Sequence, residues 1–246
     1  MSAPLPNLDE FSAILFDLDG VLTPTAELHM RAWHATFDQV FAEKAVPTPY
    51  TDSDYFLHLD GKKRDDGVAS VLESRGITLP LGSPDDPPTA DTVWGIGNRK
   101  NAVFSQELEQ DGIAPYPGSR ALVDTLYAAS MPMAVVSSSK NAVWVLRAAQ
   151  LADRFSVVVD GVTAADEGLA SKPAPDMFLN AAAKLGVEPG GAVVFEDAIS
   201  GVSAARAAGF GLVVGVDRGV GESALLDAGA ILVVTDLADF VGGARA

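Results

Sequence analysis

The second half of the chain is marked by short, continuous apolar runs rich in valine, separated by longer amphipathic stretches. Runs of this kind predict strands buried on both faces of a sheet, since a half-exposed strand would alternate apolar and polar positions. One more run of the same kind lies near the start of the chain. The predicted strands cover residues 13–16, 131–138, 155–161, 192–197, 212–216 and 231–236.

Between these runs, alanine, leucine and charged residues recur at helical spacing, which predicts a helix after most strands. The predicted helices cover residues 119–129, 141–151, 174–186 and 198–209. Strands that alternate with helices form βαβ units, whose strands run parallel. The sequence therefore predicts an α/β fold, a Rossmann-like parallel sheet with helices on both faces.

Residues 26–110 have a different pattern, because amphipathic helical stretches follow one another with no buried strand between them. These stretches are residues 26–45, 64–76 and 91–112, and the segment 78–91, with four prolines, is predicted to be a loop. We expect an all-helical domain inserted after the first strand. The predicted domains are a catalytic core, residues 1–24 with 113–246, and a helical cap, residues 25–112.

Composition and charge narrow the possible functions of this 246-residue chain. The net charge of −16 makes nucleic acids and anionic membranes poor partners, and the absence of cysteine excludes disulfides and thiolate chemistry. No stretch has the length and apolarity of a membrane span, and the N-terminal residues lack the pattern of a signal peptide. We expect a soluble, cytoplasmic monomer that binds a small molecule.

Chemically active side chains follow several of the predicted strands. Ligands of parallel sheets bind at the carboxyl ends of the strands, so these residues are expected to converge. Two neighbouring acids repel each other, and a cation or a shared task must compensate them. The residues are Asp17 and Asp19 after the first strand, Ser137 and Ser138, Glu196 and Asp197, and Lys172 just before a predicted helix.

Each of these residues also has a simpler explanation when it is taken alone. Asp19 precedes a glycine, and Asp-Gly is a common turn dipeptide. Acids and serines after a strand can cap the next helix, and a single lysine is most often a surface residue. The chemical interpretation therefore depends on all the segments occurring together.

The segments FDLDGVL, VVSSSKN, SKPAPDMF and VFEDAISGVSAARAAG resemble, in order, the four motifs of the haloacid dehalogenase superfamily. The resemblance implies a phosphotransferase in which Asp17 is the nucleophile that forms an aspartyl-phosphate and Asp19 is the general acid and base. Lys172 would neutralise the transferring phosphoryl group and Ser137 would hold phosphate oxygens. The implied cofactor is Mg²⁺, bound by Asp17, the backbone carbonyl of Asp19, Glu196 and Asp197.

The stretch TPTAELHMRAW, together with RKN at 99–101, is similar to the β-phosphoglucomutase family. This similarity implies a sugar-phosphate substrate, with His29 and the hinge residue Thr25 supporting the general acid and base. It also implies substrate-binding roles for further residues, namely Arg64 on the distal phosphate, Lys100 near the sugar hydroxyls, and Ser138, Lys140 and Asn141 around the phosphates.

The chain departs from the family pattern at two places. Pro24 stands where many relatives carry aspartate, and the proline-rich segment 78–91 is an insertion in the predicted cap. Three functions remain open: a mutase that moves phosphate between O1 and O6 of β-glucose through a bisphosphate, a sugar-phosphate phosphatase, and a non-catalytic binding module. A second phosphate site that contains Arg64 and Asn141 would favour the mutase.

Overall fold

The computed structural model describes residues 5–241, and these residues form two compact units. The sheet unit comprises the chain up to Pro24 and from Ile113 onward, and the helical unit is Thr25–Gly112. The first four and last five residues of the predicted catalytic core lie outside the described part of the chain.

The sheet unit is built on six parallel strands in the order β3-β2-β1-β4-β5-β6. The register pairs Leu15 of β1 with Ala134 of β2 on one side and with Val194 of β4 on the other. All residues of the four inner strands are buried, as the continuous apolar runs predicted. The α/β fold is thereby confirmed. The strands are β1 Ala13–Phe16, β2 Met133–Val136, β3 Val157–Val159, β4 Ala192–Glu196, β5 Leu212–Val216 and β6 Leu232–Val234.

Three strands end two residues earlier than predicted because side chains begin a turn or helix inside the predicted run. After β3, the Asp160 carboxylate accepts from Val162 N at 3.1 Å and from Thr163 N at 2.8 Å and so starts a helix. After β6, Asp236 accepts from Ala238 N at 2.8 Å in the same way. After β2, the Ser137 hydroxyl accepts from the amide of Ser139 at 3.1 Å.

The helices of the sheet unit cover the apolar faces of the strands. Met177, Phe178 and Ala181 of α8 belong to the same buried cluster as Leu15 and Ala134 of the sheet. Two short helices, α7 and α10, were not predicted from the sequence. The helices are α5 Pro117–Ala128, α6 Ala142–Ala148, α7 Gly161–Asp166, α8 Asp176–Leu185, α9 Ile199–Ala207 and α10 Glu222–Ala228.

The helical unit has its own core, in which Phe37 of the first helix packs with Val68 and Ile96 of two later helices. A short helix that continues as a π-helical turn, Tyr55–Leu59, was not predicted. Segment 78–91 contains no helix or strand, as predicted. The helices are α1 Thr25–Glu43, α2 Asp52–Asp54, α3 Arg64–Ser74 and α4 Val93–Asp111. Among the described residues, none of the helices combines the length and apolarity needed to cross a membrane.

Candidate active site

The sheet brings the predicted carboxylates together because β1 lies between β2 and β4. The amide of Asp17 donates to the carbonyl of Phe195 at 2.9 Å, so the ladder between β1 and β4 continues up to the first acid. Asp17 and Asp197 follow their strands at the carboxyl edge of the sheet, and Glu196 ends β4. One oxygen from each of these three carboxylates can lie within 4.8 Å of the others.

Lys172 is buried among these acids and bridges two of them. Its Nζ donates to Asp17 Oδ1 at 2.7 Å, to Glu196 Oε2 at 2.8 Å and to the Val136 carbonyl at 3.2 Å. An ammonium group has three protons, so these contacts use its full donor capacity. Burial alone would lower the pKa of Lys172, but the carboxylates of Asp17 and Glu196 outweigh it and hold that pKa above its ordinary value. Lys172 is therefore a cation at neutral pH.

The negative charge of the cluster exceeds what Lys172 compensates. Burial and then the Glu196 carboxylate raise the pKa of Asp17 well above its ordinary value, while Lys172 opposes the rise. Buried carboxylate oxygens that converge in this way are the ligands that Mg²⁺ prefers. The donor set of Asp17, Glu196 and Asp197 therefore fits a divalent hard cation.

Two glycines leave room for these carboxylates. Gly20 has a φ of +87°, and a Cβ atom added there would lie 1.8 Å from Asp197 Oδ2. A Cβ atom on Gly201, in α9, would lie 2.0 Å from the carboxylate carbon of Glu196. Any side chain at either position would displace an acid of the cluster, so the glycines are part of the site's construction.

Asp19 lies in the loop that follows β1 and is half-buried. Its Oδ2 accepts a hydrogen bond from the Ser137 hydroxyl at 3.1 Å. The loop is closed by backbone hydrogen bonds, from Gly20 N to the Thr23 carbonyl at 2.8 Å and from Thr23 N to the Leu18 carbonyl at 3.0 Å. The contact with Ser137 connects the end of β1 to the end of β2.

The other predicted phosphate-binding residues of the sheet unit lie in the turn between β2 and α6. The amide of Asn141 donates to the Ser139 hydroxyl at 3.2 Å, and Asn141 directly precedes α6. The backbone of Ser138 and Lys140 lies against Gly161, where an added Cβ atom would be 2.6 Å from the Ser138 carbonyl oxygen. Ser138, Lys140 and Asn141 are thus placed beside Ser137, and their roles stay predictions.

In the helical unit, His29 and Lys100 lie against each other. Lys100 is buried, and its Nζ lies 2.7 Å from His29 Nδ1 and 4.6 Å from the centre of the Phe104 ring. A lysine ammonium can only donate, so Nδ1 accepts and the neutral imidazole carries its proton on Nε2. Burial, then Lys100 and then Arg64 lower the pKa of His29 well below its ordinary value. Thr25, the first residue of α1, is buried one turn before His29.

Arg64, the first residue of α3, is held by two asparagine side chains of α4. Its Nη1 donates to Asn98 Oδ1 at 3.3 Å, and its Nη2 donates to Asn101 Oδ1 at 2.8 Å. Amide oxygens are neutral acceptors, so these contacts orient the guanidinium without cancelling its charge. A cationic group held in this way can bind an anion.

Arg218 is a residue of the sheet unit that the sequence reasoning missed. Its Nε donates to the Gly20 carbonyl at 2.7 Å and its Nη1 to the Thr235 carbonyl at 2.9 Å. The guanidinium lies 3.9 Å from the centre of the Tyr116 ring. Arg218 thereby fixes the loop that carries Asp19. The signal was available, since Arg218 follows β5, which neighbours β4.

Comparisons with known proteins agree with this geometry. The family model described as haloacid dehalogenase-like hydrolase matches residues 11–209. A β-phosphoglucomutase of Mycobacterium tuberculosis is 51% identical over 244 residues, which cover 95% of this chain and 92% of that protein. The match therefore extends over nearly the whole of both sequences.

Solved structures share the fold of this chain. The crystal structure of a β-phosphoglucomutase from Clostridium difficile has a TM-score of 0.75 and 25% identity, and covers 93% of this chain and 92% of that one. A mutant of CbbY from Rhodobacter sphaeroides, solved in complex with xylulose-1,5-bisphosphate, has a TM-score of 0.71 and 26% identity. That comparison covers 96% of this chain and 100% of that one.

Proposed function

Because this chain belongs to the haloacid dehalogenase superfamily and to its β-phosphoglucomutase-like family, and is an isomerase-type enzyme, we propose that it interconverts sugar phosphates by phosphoryl transfer. The proposed reaction converts β-glucose 1-phosphate to glucose 6-phosphate through the 1,6-bisphosphate. The observation that carries the proposal is the buried cluster in which Lys172 bridges Asp17 and Glu196 beside Asp197.

Asp17 is proposed as the nucleophile. Its carboxylate oxygen would attack phosphorus and form an aspartyl-phosphate, while the bond between phosphorus and the leaving sugar oxygen breaks. In the half-reaction that forms the bisphosphate, the free hydroxyl of a sugar monophosphate would attack the phosphorus of the aspartyl-phosphate, and the bond between that phosphorus and Asp17 would break. The ammonium of Lys172, 2.7 Å from Asp17 Oδ1, would stabilise the charge on the transferring group.

Asp19 is proposed as the group that moves the proton. It would protonate the leaving sugar oxygen in the first half-reaction and take a proton from the attacking hydroxyl in the second. The Ser137 hydroxyl, which donates to Asp19 Oδ2 at 3.1 Å, would hold this carboxylate in one orientation. With Ser138, Lys140 and Asn141, Ser137 is also proposed to contact phosphate oxygens.

Mg²⁺ is the proposed cofactor, held by the side chains of Asp17, Glu196 and Asp197 and by the backbone carbonyl of Asp19. When bound, the ion would neutralise charge on the carboxylates and on the phosphoryl group. The fit is supported by the convergence of the three carboxylates. The pKa of Asp17 is raised first by burial and then by the Glu196 carboxylate, so a bound cation would stabilise the ionised form of Asp17.

The helical unit is proposed to act as the substrate-binding cap. Arg64 would bind the phosphate that is not being transferred, and Lys100 the sugar hydroxyls. His29, neutral and with its proton on Nε2, is proposed to support Asp19 together with Thr25. A cytoplasmic location and a monomeric state remain predictions.

One experiment separates the proposed mutase from a phosphatase. The protein is incubated with Mg²⁺, β-glucose 1-phosphate and a trace of the 1,6-bisphosphate, and both glucose 6-phosphate and inorganic phosphate are measured. The proposal expects glucose 6-phosphate to accumulate. Accumulation of free phosphate at the rate of substrate loss would contradict it and would support a sugar-phosphate phosphatase.

A further inference from the structure

The segment 78–91, which we call the proline-rich loop, is fastened to the beginning of α4. The amide of Val93 donates to the Pro80 carbonyl at 3.0 Å. The hydroxyl of Thr92 donates to Asp86 Oδ2 at 2.6 Å, and the same hydroxyl caps α4. These hydrogen bonds, near the start of the loop and in its middle, hold the intervening carbonyl groups in place, so they can serve as anchors for side chains of α4.

Asn98 connects this loop to Arg64. Its Nδ2 donates to the Pro84 carbonyl at 3.0 Å and to the Asp86 carbonyl at 2.8 Å. Its Oδ1 accepts from Arg64 Nη1 at 3.3 Å. An amide side chain has its donors and its acceptor on opposite sides, so the two contacts with the loop determine where Oδ1 points. The loop therefore determines the position of Asn98 Oδ1, the oxygen that accepts from Arg64.

The rest of the Arg64 side chain is seated on α4. A Cβ atom added at Gly97 would lie 2.8 Å from Arg64 Cδ, so the absence of a side chain at Gly97 leaves the space that Arg64 occupies. Asn101 accepts from Arg64 Nη2 at 2.8 Å. Gly97 thus leaves space for the aliphatic part of the Arg64 side chain. Asn101 accepts from one end of the guanidinium and Asn98 from the other.

We propose that the proline-rich loop, acting through Asn98, fixes the plane of the Arg64 guanidinium for the distal phosphate and so sets the preference of the enzyme for bisphosphorylated sugars. The inference rests on the proposed function, in which Arg64 binds that phosphate. A guanidinium binds phosphate through two parallel N–H groups, so the orientation of its plane matters. Fixing that plane before the substrate arrives removes part of the cost of ordering a long side chain. Asn98 is a positioning residue in this scheme.

The test is Asn98→Ala in the complete protein with Mg²⁺. The KM for β-glucose 1,6-bisphosphate should rise by about 2–10-fold, because the substrate must then order the Arg64 side chain when it binds. The kcat for the sugar and the hydrolysis of acetyl phosphate, which has a single phosphate, should change by less than about twofold. A residue that only supported folding would lower both activities together.

Arg99→Ala is the matched control. Arg99 is adjacent to Asn98, donates to the Pro88 carbonyl of the same loop at 2.9 Å, and pairs with Glu43 at 3.1 Å. Arg99 therefore anchors the same loop, but its contacts are with Pro88 and Glu43 and not with Arg64. If Arg99→Ala raises the KM for the bisphosphate as much as Asn98→Ala does, the specific route through Asn98 is wrong.

Asn98→Asp provides a second variant of nearly the same shape. It keeps an oxygen toward Arg64, loses the donors to the loop and adds a negative charge, so the KM should rise more than in Asn98→Ala. An unchanged KM in both variants would overturn the inference. If Arg64→Ala raises the KM and the Asn98 variants do not, the inference alone fails. If Arg64→Ala leaves the KM unchanged, the proposed distal site and this inference fail together.

Discussion

Lys172 of the sheet unit and Arg64 of the helical unit are two cations whose hydrogen-bond partners are of opposite kinds, charged in the first case and neutral in the second. In the sheet unit, the cation Lys172 is paired with Asp17 and Glu196, and the acids still outnumber it locally. In the helical unit, Arg64 donates to the neutral amides of Asn98 and Asn101. The first arrangement retains negative charge and suits a divalent cation, and the second retains positive charge and suits an anion. A phosphotransferase that acts on a bisphosphate needs both.

This difference also fits the composition of the chain. The net charge of −16 repels phosphates in general, so a phosphate site must be produced locally. The hydrogen-bond acceptors of Arg64 are neutral amide oxygens, so they do not compensate the positive charge of its guanidinium. Burial lowers the pKa of Arg64, and the neighbouring acid Asp65 opposes this shift in part. The helical unit thus contains a local positive site within an acidic protein.

Removal of Asp17 should give the largest effect. Asp17→Ala takes away the proposed nucleophilic oxygen, so turnover of β-glucose 1-phosphate should fall to the background rate, and a BeF₃⁻ adduct should no longer form. Asp153→Ala, at a site in a short 3₁₀ segment away from the cluster, is the control and should retain full turnover. Measurable turnover by metal-saturated Asp17→Ala would assign the nucleophile to another residue.

The second-largest effect is expected from Asp19→Asn, which should impair proton transfer and not Mg²⁺ binding. Asp19→Asn keeps the backbone carbonyl proposed as a metal ligand but cannot donate or accept the proton, so kcat should fall by about 10²–10⁴. Calorimetry should find Mg²⁺ affinity nearly unchanged. A loss of less than about tenfold would place the proton transfer elsewhere, and a parallel loss of Mg²⁺ affinity would make Asp19 mainly a charge of the metal site.

The sequence predicts the features of this protein that leave a periodic or continuous pattern of apolar residues, and it does not predict those that depend on the conformation of a loop. The apolar runs of β1 and β5 match the strands residue for residue, because burial on both faces leaves a continuous signal. The family expected from the four motifs is confirmed, and so is the isomerase-type enzyme. The convergence at the sheet edge followed from the strand-end rule, which needs only the order of strands and helices.

Other features could not be predicted in this way. The segment 52–59 is too short to show helical periodicity, and a capping box at Thr51 and Asp54 starts it. The bonds from Asn98 and Arg218 go largely to backbone carbonyls, whose positions depend on loop conformation and not on residue type. A sequence pattern shows that such side chains are present but not which carbonyl they will meet.

The helical side of the comparison is tested by Arg64→Ala. Loss of the proposed charge-assisted contact with the distal phosphate should lower kcat/KM for β-glucose 1-phosphate by about 10–100-fold. Hydrolysis of acetyl phosphate should change little, because the sheet-unit cluster is untouched. Arg31→Ala removes an exposed arginine that pairs with Glu107 and is the control. If both activities fall together, Arg64 supports the fold of the helical unit rather than a phosphate site.

The smallest expected effect tests the negative charge of the sheet unit. It is the change with pH in how much Mg²⁺ stabilises the protein against unfolding. The pKa of Asp17 is raised in the folded protein, so the metal-free fold gains stability as the pH falls through that raised pKa and loses this stability as the pH rises through it. Lys172, with its pKa above the ordinary value, stays protonated throughout. Asp54 and Asp124, whose pKa values are lowered, lose their contributions only below about pH 5.

Mg²⁺ should therefore stabilise the protein more at about pH 8 than at about pH 5.5, because protons compete with the ion for Asp17 at the lower pH. With the ion at a hundred times its Kd, Tm at pH 8 should rise by about 5–10 °C. Calorimetric unfolding with and without Mg²⁺ measures both increments. Asp17→Asn should show a small increment that is equal at the two pH values. An equal increment in the wild-type protein would mean that Asp17 does not carry the excess charge, and the contrast between the two units would then rest on Glu196 and Asp197.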